Sequence, residues 1–213
     1  QITAADIASS GTRAITVFNP APGGGTSGPA LNLTVNNPVP SLSSLNPNPV
    51  IFGTGAFTLT VNGSSFANGA QVSLDGANRT TSFVSSTQLS AAITAADIAA
   101  IGTRSITVLN PSSSGPSAAL TLAVNNPVPA LTSLDPGNAV VGEAAFLLNV
   151  AGTNFVNGAT ITFGGTSHTT TFVNSTLVRT VIETTEISTA GLVSVIVTNP
   201  GPGGGASSPL SFT

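Results

Sequence analysis

Cysteine, methionine, tryptophan, tyrosine and lysine are all absent from this sequence of 213 residues. Without cysteine there is no disulfide and no thiolate metal site, so packing and β-sheet hydrogen bonds must stabilise the fold. Without lysine there is no lysine–asparagine crosslink and no amine for sortase-type pilus assembly. We therefore expect any polymer of this chain to be noncovalent or one long polypeptide.

Charge is also scarce, because only 5% of the residues are charged, against roughly a quarter in an ordinary soluble domain. A formal net charge of −3 provides no basic surface that could release counterions from a phosphate backbone, so no nucleic-acid partner is expected. The most apolar stretch, residues 138–152, is interrupted by Gly142 and Glu143 and is shorter than the about 20 residues of a bilayer span. No membrane insertion is expected.

Candidate catalytic and metal-binding residues are few. His168 is the single histidine, and no orienting carboxylate can be identified for it, so we expect a solvated surface residue. The acidic residues do not follow the alternating pattern of a calcium loop, and Asp135 alone offers too few oxygens. We predict no catalytic residue, no metal ligand and no cofactor site, and we do not expect an enzyme.

The remaining charged residues have ordinary structural explanations. Asp75 stands at the first position of a glycine turn, where we expect its side chain to cap its own backbone. Asp6 with Arg13, and Asp97 with Arg104, recur at equal spacing. We predict surface ion pairs here, each worth at most about 1 kcal/mol.

The sequence repeats itself at a spacing of 89 residues. Asn37-Pro38-Val39-Pro40 recurs as Asn126-Pro127-Val128-Pro129, and residues 2–8 match residues 93–99 at the slightly longer spacing of 91 residues (93 − 2). Residues 1–36 therefore correspond to the last part of a module whose first half is missing. We predict three parts, which are a partial module at 1–36, a module at 37–125 and a module at 126–213.

Within each module the hydrophobic residues alternate with polar ones. Phe57, Leu59 and Val61 fall on one side of a strand, and turns that contain Gly or Pro, such as Asn110-Pro111, separate these runs. About seven short strands in roughly 90 residues indicate an all-β, Ig-like sandwich. The residues expected in the two cores are Phe57, Leu59, Val61, Phe66, Val72, Ile93, Ile106, Val108 and Leu122, with Phe146, Leu148, Val150, Phe155, Ile161, Ile182, Val195, Val197 and Phe212.

Two segments carry a resemblance to a known family. The runs at residues 61–72 (VNGSSFANGAQV) and 150–161 (VAGTNFVNGATI) resemble the signature of IPT/TIG domains, the Ig-like modules of plexins, transcription factors and bacterial surface proteins. The resemblance implies tandem Ig-like IPT/TIG β-sandwich modules. Proline-rich linkers without a Gly-Ser tether favour a rod-like array. The resemblance is specific for fold and says little about function.

The N-terminal segment, residues 1–36, carries a candidate assembly face formed by Ile15, Val17, Leu31, Leu33 and Val35. No opposing sheet for this face exists within the segment, so something must cover it. Two explanations remain open, which are upstream residues of the same polypeptide and a neighbouring subunit.

The functional hypothesis is a structural repeat protein that forms an extracellular filament, stalk or cell-surface appendage by noncovalent assembly, with other copies of itself as partners. The alternative is an adhesin or an accessory binding module of a larger secreted protein, with a protein or glycan surface as partner. The absence of Trp and Tyr weighs against sugar binding but not against adhesion to protein.

Overall fold

The computed structural model describes all 213 residues and shows an all-β chain. The chain folds into two compact units. The first consists of Gln1–Asn48, Gly55–Asp97 and Thr103–Leu122. The second consists of Pro49–Thr54, Ile98–Gly102 and Ala123–Thr213.

The N-terminal segment contains one 3-10 helix, Ala5–Ile7, and four short strands. The strands are β1 (Gly11–Ile15), β2 (Phe18–Asn19), β3 (Gly25–Thr26) and β4 (Leu31–Val35). Strand β1 pairs only with β4, and β2 pairs only with β3, each antiparallel. The segment therefore forms two small two-stranded sheets.

The next repeat forms what we call the first sandwich. Its strands are β5 (Ser41–Asn46), β6 (Val50–Ile51), β7 (Phe57–Ser64), β8 (Gln71–Leu74), β9 (Ala77–Asn78), β10 (Thr81–Ser85), β11 (Gln88–Ile93), β12 (Gly102–Leu109) and β13 (Leu120–Asn125), with a 3-10 helix at Ala95–Ile98. One sheet has the order β10-β11-β7-β5, and the other has the order β6-β13-β12-β8-β9.

The last repeat forms the second sandwich. Its strands are β14 (Ala130–Asp135), β15 (Phe146–Thr153), β16 (Thr160–Phe163), β17 (Thr166–His168), β18 (Thr171–Asn174), β19 (Leu177–Ile182), β20 (Val193–Asn199), β21 (Gly205–Ala206) and β22 (Leu210–Phe212), with a 3-10 helix at Thr184–Ile187. The sheets have the orders β14-β15-β19-β18 and β17-β16-β20-β21, and β22 also pairs with β20. Each sandwich has more strands than the about seven expected, because very short strands are added at the sheet edges.

The hairpin turn between β8 and β9 shows how local sequence sets this geometry. Asp75 and Gly76 have φ values of 49° and 83°, as a tight two-residue turn requires. Gly164 and Gly165, with φ values of 57° and 87°, make the matching turn between β16 and β17. The Asp75 carboxylate accepts a hydrogen bond from Ser105 N at 2.7 Å, so it binds a neighbouring strand and not its own turn, which corrects the expectation from the sequence.

The cores follow the repeat as predicted. All of the predicted core residues are buried except Phe57 and Phe146, which are half-buried at the starts of β7 and β15. Phe146 stacks on Phe212, with ring centroids 5.8 Å apart. The alternating pattern therefore identified the inward face of the long strands.

Candidate functional site

The candidate assembly face lies on the β1–β4 sheet. Ile15 is directly opposite Leu31 in this sheet, and Val35 is opposite Gly11. Because side chains two residues apart share a face, Leu31, Leu33 and Val35 project to the same side as Ile15. We call Ile15, Val17, Leu31, Leu33 and Val35 the open face.

The open face is exposed where the matching residues of the first sandwich are covered. Val17 is 63% exposed and Ile15 is 42% exposed, whereas their sequence counterparts Val108 and Ile106 are both 0% exposed. Leu33 and Val35 are half-buried, with β1 beside them in the sheet. The same repeat sequence thus places its apolar side chains in a core in one case and in solvent in the other.

Strand β1 of the same segment has no pairing strand on the side opposite β4. In the first sandwich, β12 pairs with β8, so that Ile106 is opposite Leu74 and Val108 is opposite Val72. In the N-terminal segment no strand occupies that position beside β1. Unpaired main-chain groups on an edge strand form a template for another strand.

In each complete sandwich, an asparagine that precedes proline connects the second half of the module to main-chain groups of the first half through its side-chain hydrogen bonds. Asn110 is 1% exposed, and its amide donates hydrogen bonds to Pro38 O at 2.9 Å and Ser65 O at 2.6 Å. Its Oδ1 accepts a hydrogen bond from Ala67 N at 3.0 Å. One side chain therefore satisfies three main-chain groups of the first half of the module.

The second sandwich repeats this arrangement, and the N-terminal segment does not. Asn199 donates to Pro127 O and Asn154 O at 2.8 Å and 2.6 Å. The third copy, Asn19, is exposed, and its side chain makes no hydrogen bond. The sequence pattern indicated only turn residues at these positions. The sequence feature that could have pointed to this role of the asparagine is that Asn precedes Pro at the same place in all three copies of the repeat.

A charged pair links the 3-10 helix of the first sandwich to its first half. Arg79 donates from Nε to Asp97 Oδ2 at 3.0 Å and from an Nη atom to Oδ1 at 2.6 Å. Burial acts to raise the pKa of Asp97, but the hydrogen bonds from Arg79 and Thr94 lower it below its ordinary value. Arg104, the partner expected from sequence, instead donates to the main-chain oxygen of Asp97 at 2.9 Å.

His168 occupies the corresponding position in the second sandwich. Its Nε2 lies 2.9 Å from Glu186 Oε1, although the two groups are not aligned for a hydrogen bond. The ring of Phe163 contacts the imidazole edge to face, at a centroid distance of 6.3 Å. The histidine side chain is 11% exposed. The expectation of a solvated histidine without a carboxylate was therefore wrong, because the fold brings Glu186 to it.

Arg79→Ala is expected to lower the free energy of unfolding of the first sandwich by about 2 kcal/mol at neutral pH, because two charge-assisted hydrogen bonds are lost. The depressed pKa of Asp97 means that this stabilisation is present above its unfolded-state pKa and is lost as the pH falls through its folded-state value. Denaturant unfolding at neutral and acidic pH measures both effects. The variant and the parent chain should converge in acid, and an unchanged difference at low pH would contradict the assignment.

Two further observations bear on the nature of the site. No group of three or more His, Cys, Asp or Glu side chains is arranged to hold a metal ion. None of the helices is both long and apolar enough to span a bilayer.

The arrangement of the open face, its unpaired edge and Asn19 is suited to protein contact, since it combines apolar side chains with main-chain hydrogen-bonding groups.

A family model described as IPT/TIG domain matches residues 40–124 and 129–213. No curated protein sequence matches the chain. The adhesin InvE of Yersinia pseudotuberculosis is 15% identical at a TM-score of 0.39, with 82% of this chain and 58% of that chain covered.

Two other solved structures show the same kind of similarity. The Plexin A4 extracellular region is 11% identical at a TM-score of 0.32, covering 79% of this chain and 18% of that chain. The SGBP-B protein of the Bacteroides ovatus mixed-linkage glucan utilization locus, in complex with a mixed-linkage heptasaccharide, is 18% identical at a TM-score of 0.34. The match covers 93% of this chain and 50% of that chain. This chain thus spans less than two thirds of each of these proteins.

Proposed function

The chain belongs to the IPT/TIG domain family, whose Ig-like modules cover most of its length, and we propose that it is a non-catalytic structural repeat protein. Its proposed role is to form an extracellular filament, stalk or cell-surface appendage by noncovalent assembly with other copies of itself. The absence of side chains that oxidise readily suits a long-lived product exposed to air.

The observation that carries this proposal is the open face. Leu31 is 76% exposed, whereas its counterpart Leu120 is half-buried. Leu122, the counterpart of Leu33, is 0% exposed. Large exposed apolar patches mark interaction sites, because leaving them in water costs about 25 cal/mol per Å² of apolar surface. Covering the open face with protein recovers that free energy.

The chemistry of the open face favours a protein partner. Its side chains are all aliphatic, and a sugar-binding platform normally presents aromatic rings for stacking. The face lies in the N-terminal segment alone, so a contact with a different surface of another copy is head-to-tail. Such a contact propagates into a filament unless its rotation closes a ring.

Self-association that depends on concentration is the expected behaviour of the purified chain, measured by sedimentation velocity with electron microscopy of the same samples. Val17→Asp should weaken the association by at least about tenfold, because it places a charge in the apolar contact. Val84→Asp is the matched control, since Val84 is 56% exposed on β10, outside the open face. Its association should equal that of the parent chain.

Two outcomes would overturn the assembly proposal. One is a parent chain that stays monomeric at high concentration and shows no fibres. The other is equal weakening by Val17→Asp and Val84→Asp, which would place the contact elsewhere. A monomeric chain that attaches to a cell surface or to a partner domain through the open face would instead support the adhesin or accessory-module role.

A further inference from the structure

We propose that the outer sheet face of the second sandwich binds the same face of a second copy of this chain, in a two-fold symmetric contact. We define this surface by Leu147, Arg179, Val181 and Glu183 and call it the β19 face. It lies outside the open face, and it does not depend on the proposed function. A two-fold contact closes after two copies, so its product is a dimer and not a filament.

Strand register places the four side chains on one surface. Buried and exposed residues alternate along β19, and Arg179 and Val181 are on its exposed side. Leu147, on the neighbouring strand β15, is directly opposite Val181. Glu183 is exposed, and it lines one pocket together with Leu147 and Val181. The β19 face is therefore a continuous patch and not a set of scattered side chains.

The centre of the β19 face is apolar and open to solvent. Leu147 is 44% exposed and Val181 is 48% exposed, and the two lie side by side on paired strands. Neighbouring apolar side chains in this position favour association, because a partner surface removes both from water at once.

Arg179 has no partner for its charge within the chain. The other three arginines each donate side-chain hydrogen bonds, whereas Arg179 donates none. Its neighbours across the sheet are Asn149 and Thr171, which are both uncharged. Arginine is among the residue types that contribute most to protein–protein binding, especially beside apolar contacts. The unpaired guanidinium therefore points to a carboxylate on the partner.

The order of the charges along β19 makes the face complementary to itself. Val181 lies midway between Arg179 and Glu183, about 7 Å from each at roughly 3.3 Å per residue. In a second copy that faces the first with β19 antiparallel, a two-fold axis at Val181 brings each Arg179 to Glu183 of the other copy. The same rotation places Leu147 against the other Leu147, because Leu147 is level with Val181.

Glu183 is held in place to receive the arginine. Its carboxylate accepts a hydrogen bond from Glu186 N, which fixes the side chain at the end of β19. An ionised carboxylate has about four acceptor positions, so this bond leaves capacity for a guanidinium.

The first sandwich shows that the fold does not require such a face. Strands β7 and β11 pair in the same register as β15 and β19, with Thr58 opposite Ala92. The four counterparts of the β19 face are all uncharged, and none is a large apolar residue: Thr58, Ser90, Ala92 and Thr94. Because the same sheet forms with these residues, the apolar and charged side chains of the β19 face are explained by a contact and not by folding.

Sedimentation velocity of the full chain carrying Val17→Asp measures this contact alone, because that substitution disrupts the open face. We expect a reversible monomer–dimer equilibrium. Adding Leu147→Thr and Val181→Ala should weaken dimerisation by at least about tenfold, since the apolar centre is lost. Both new residues occur at the matching positions of the first sandwich. Leu109→Thr is the matched control, because Leu109 is 45% exposed in the first sandwich and its counterpart is Thr198.

Charge reversal tests the two-fold arrangement. Arg179→Glu and Glu183→Arg, each made alone in the Val17→Asp chain, place like charges opposite each other twice in a dimer. Each variant alone should therefore dimerise at least about tenfold more weakly. An equimolar mixture of the two should recover dimerisation, because both pairs then have opposite charges. Mixing also controls for folding, since a misfolded variant would not be rescued.

The outcomes separate this inference from the proposed function. A Val17→Asp chain that stays monomeric overturns the inference, and fibres of the parent chain would then leave the proposed function standing. Dimers without larger species in the parent chain support the inference and overturn the filament. Equal dimerisation after the paired substitutions at Leu147 and Val181 and after Leu109→Thr overturns it, as does a mixture of the charge variants that stays monomeric.

Discussion

Phe155→Ala is expected to lower the free energy of unfolding of the second sandwich by about 3–5 kcal/mol. Phe155 is 2% exposed and lies in a core cluster with Leu148 and Ile161. A Cβ placed on Gly152 would lie 2.6 Å from Phe155 Cζ, so the ring packs directly on the glycine backbone. Removing the ring leaves a cavity that the rigid strands around it cannot close.

Thermal and denaturant unfolding of the full chain measure this loss, with the second sandwich followed by hydrogen exchange at β15. Phe83→Ala is the matched control, because Phe83 is 39% exposed on β10 and its truncation creates no internal cavity. We expect the control to change stability by less than about 1 kcal/mol. Equal effects of the two substitutions would show that the inward face has been assigned wrongly.

Asn110→Ala is expected to destabilise the first sandwich by about 2–4 kcal/mol, the second-largest effect among these substitutions. The change leaves Ala67 N, Pro38 O and Ser65 O without the partners that they have in the parent chain. These groups lie on exposed or half-buried residues and regain part of their hydrogen bonding from water, whereas the side chain of Asn110 is 1% exposed, so its truncation also leaves a cavity. Asn110→Asp keeps the size but removes the amide donor, so it should also destabilise the sandwich.

The chain contains its own control for this experiment. Asn19 precedes proline as Asn110 does, but it is exposed and makes no side-chain hydrogen bond. Asn19→Ala should therefore leave the unfolding transitions of the isolated chain unchanged. A similar loss of stability from Asn19→Ala and Asn110→Ala would mean that the effect comes from the turn and not from the buried hydrogen bonds.

The pairing partners of charged residues could not be predicted from spacing. The equal spacing of Asp97 and Arg104 with Asp6 and Arg13 predicted ion pairs, but both arginines donate to main-chain oxygens. The carboxylate of Asp97 binds Arg79, which lies 18 residues earlier in the chain. Spacing within one segment could not reveal this contact, because it depends on how two strands and a 3-10 helix are placed around the sandwich.

The all-β class, the repeat and nearly all of the core were predictable from the order of the residues, because alternation of apolar side chains is a local property of a strand with one buried face. The same local property identified Ile15 and Leu31 as members of an apolar face. The contacts of polar side chains across a module were not predictable in this way, since Asn110 and His168 meet groups that are distant in sequence or on other elements. Burial likewise depends on what covers a face, so near-identical segments place Val108 in a core and Val17 in solvent.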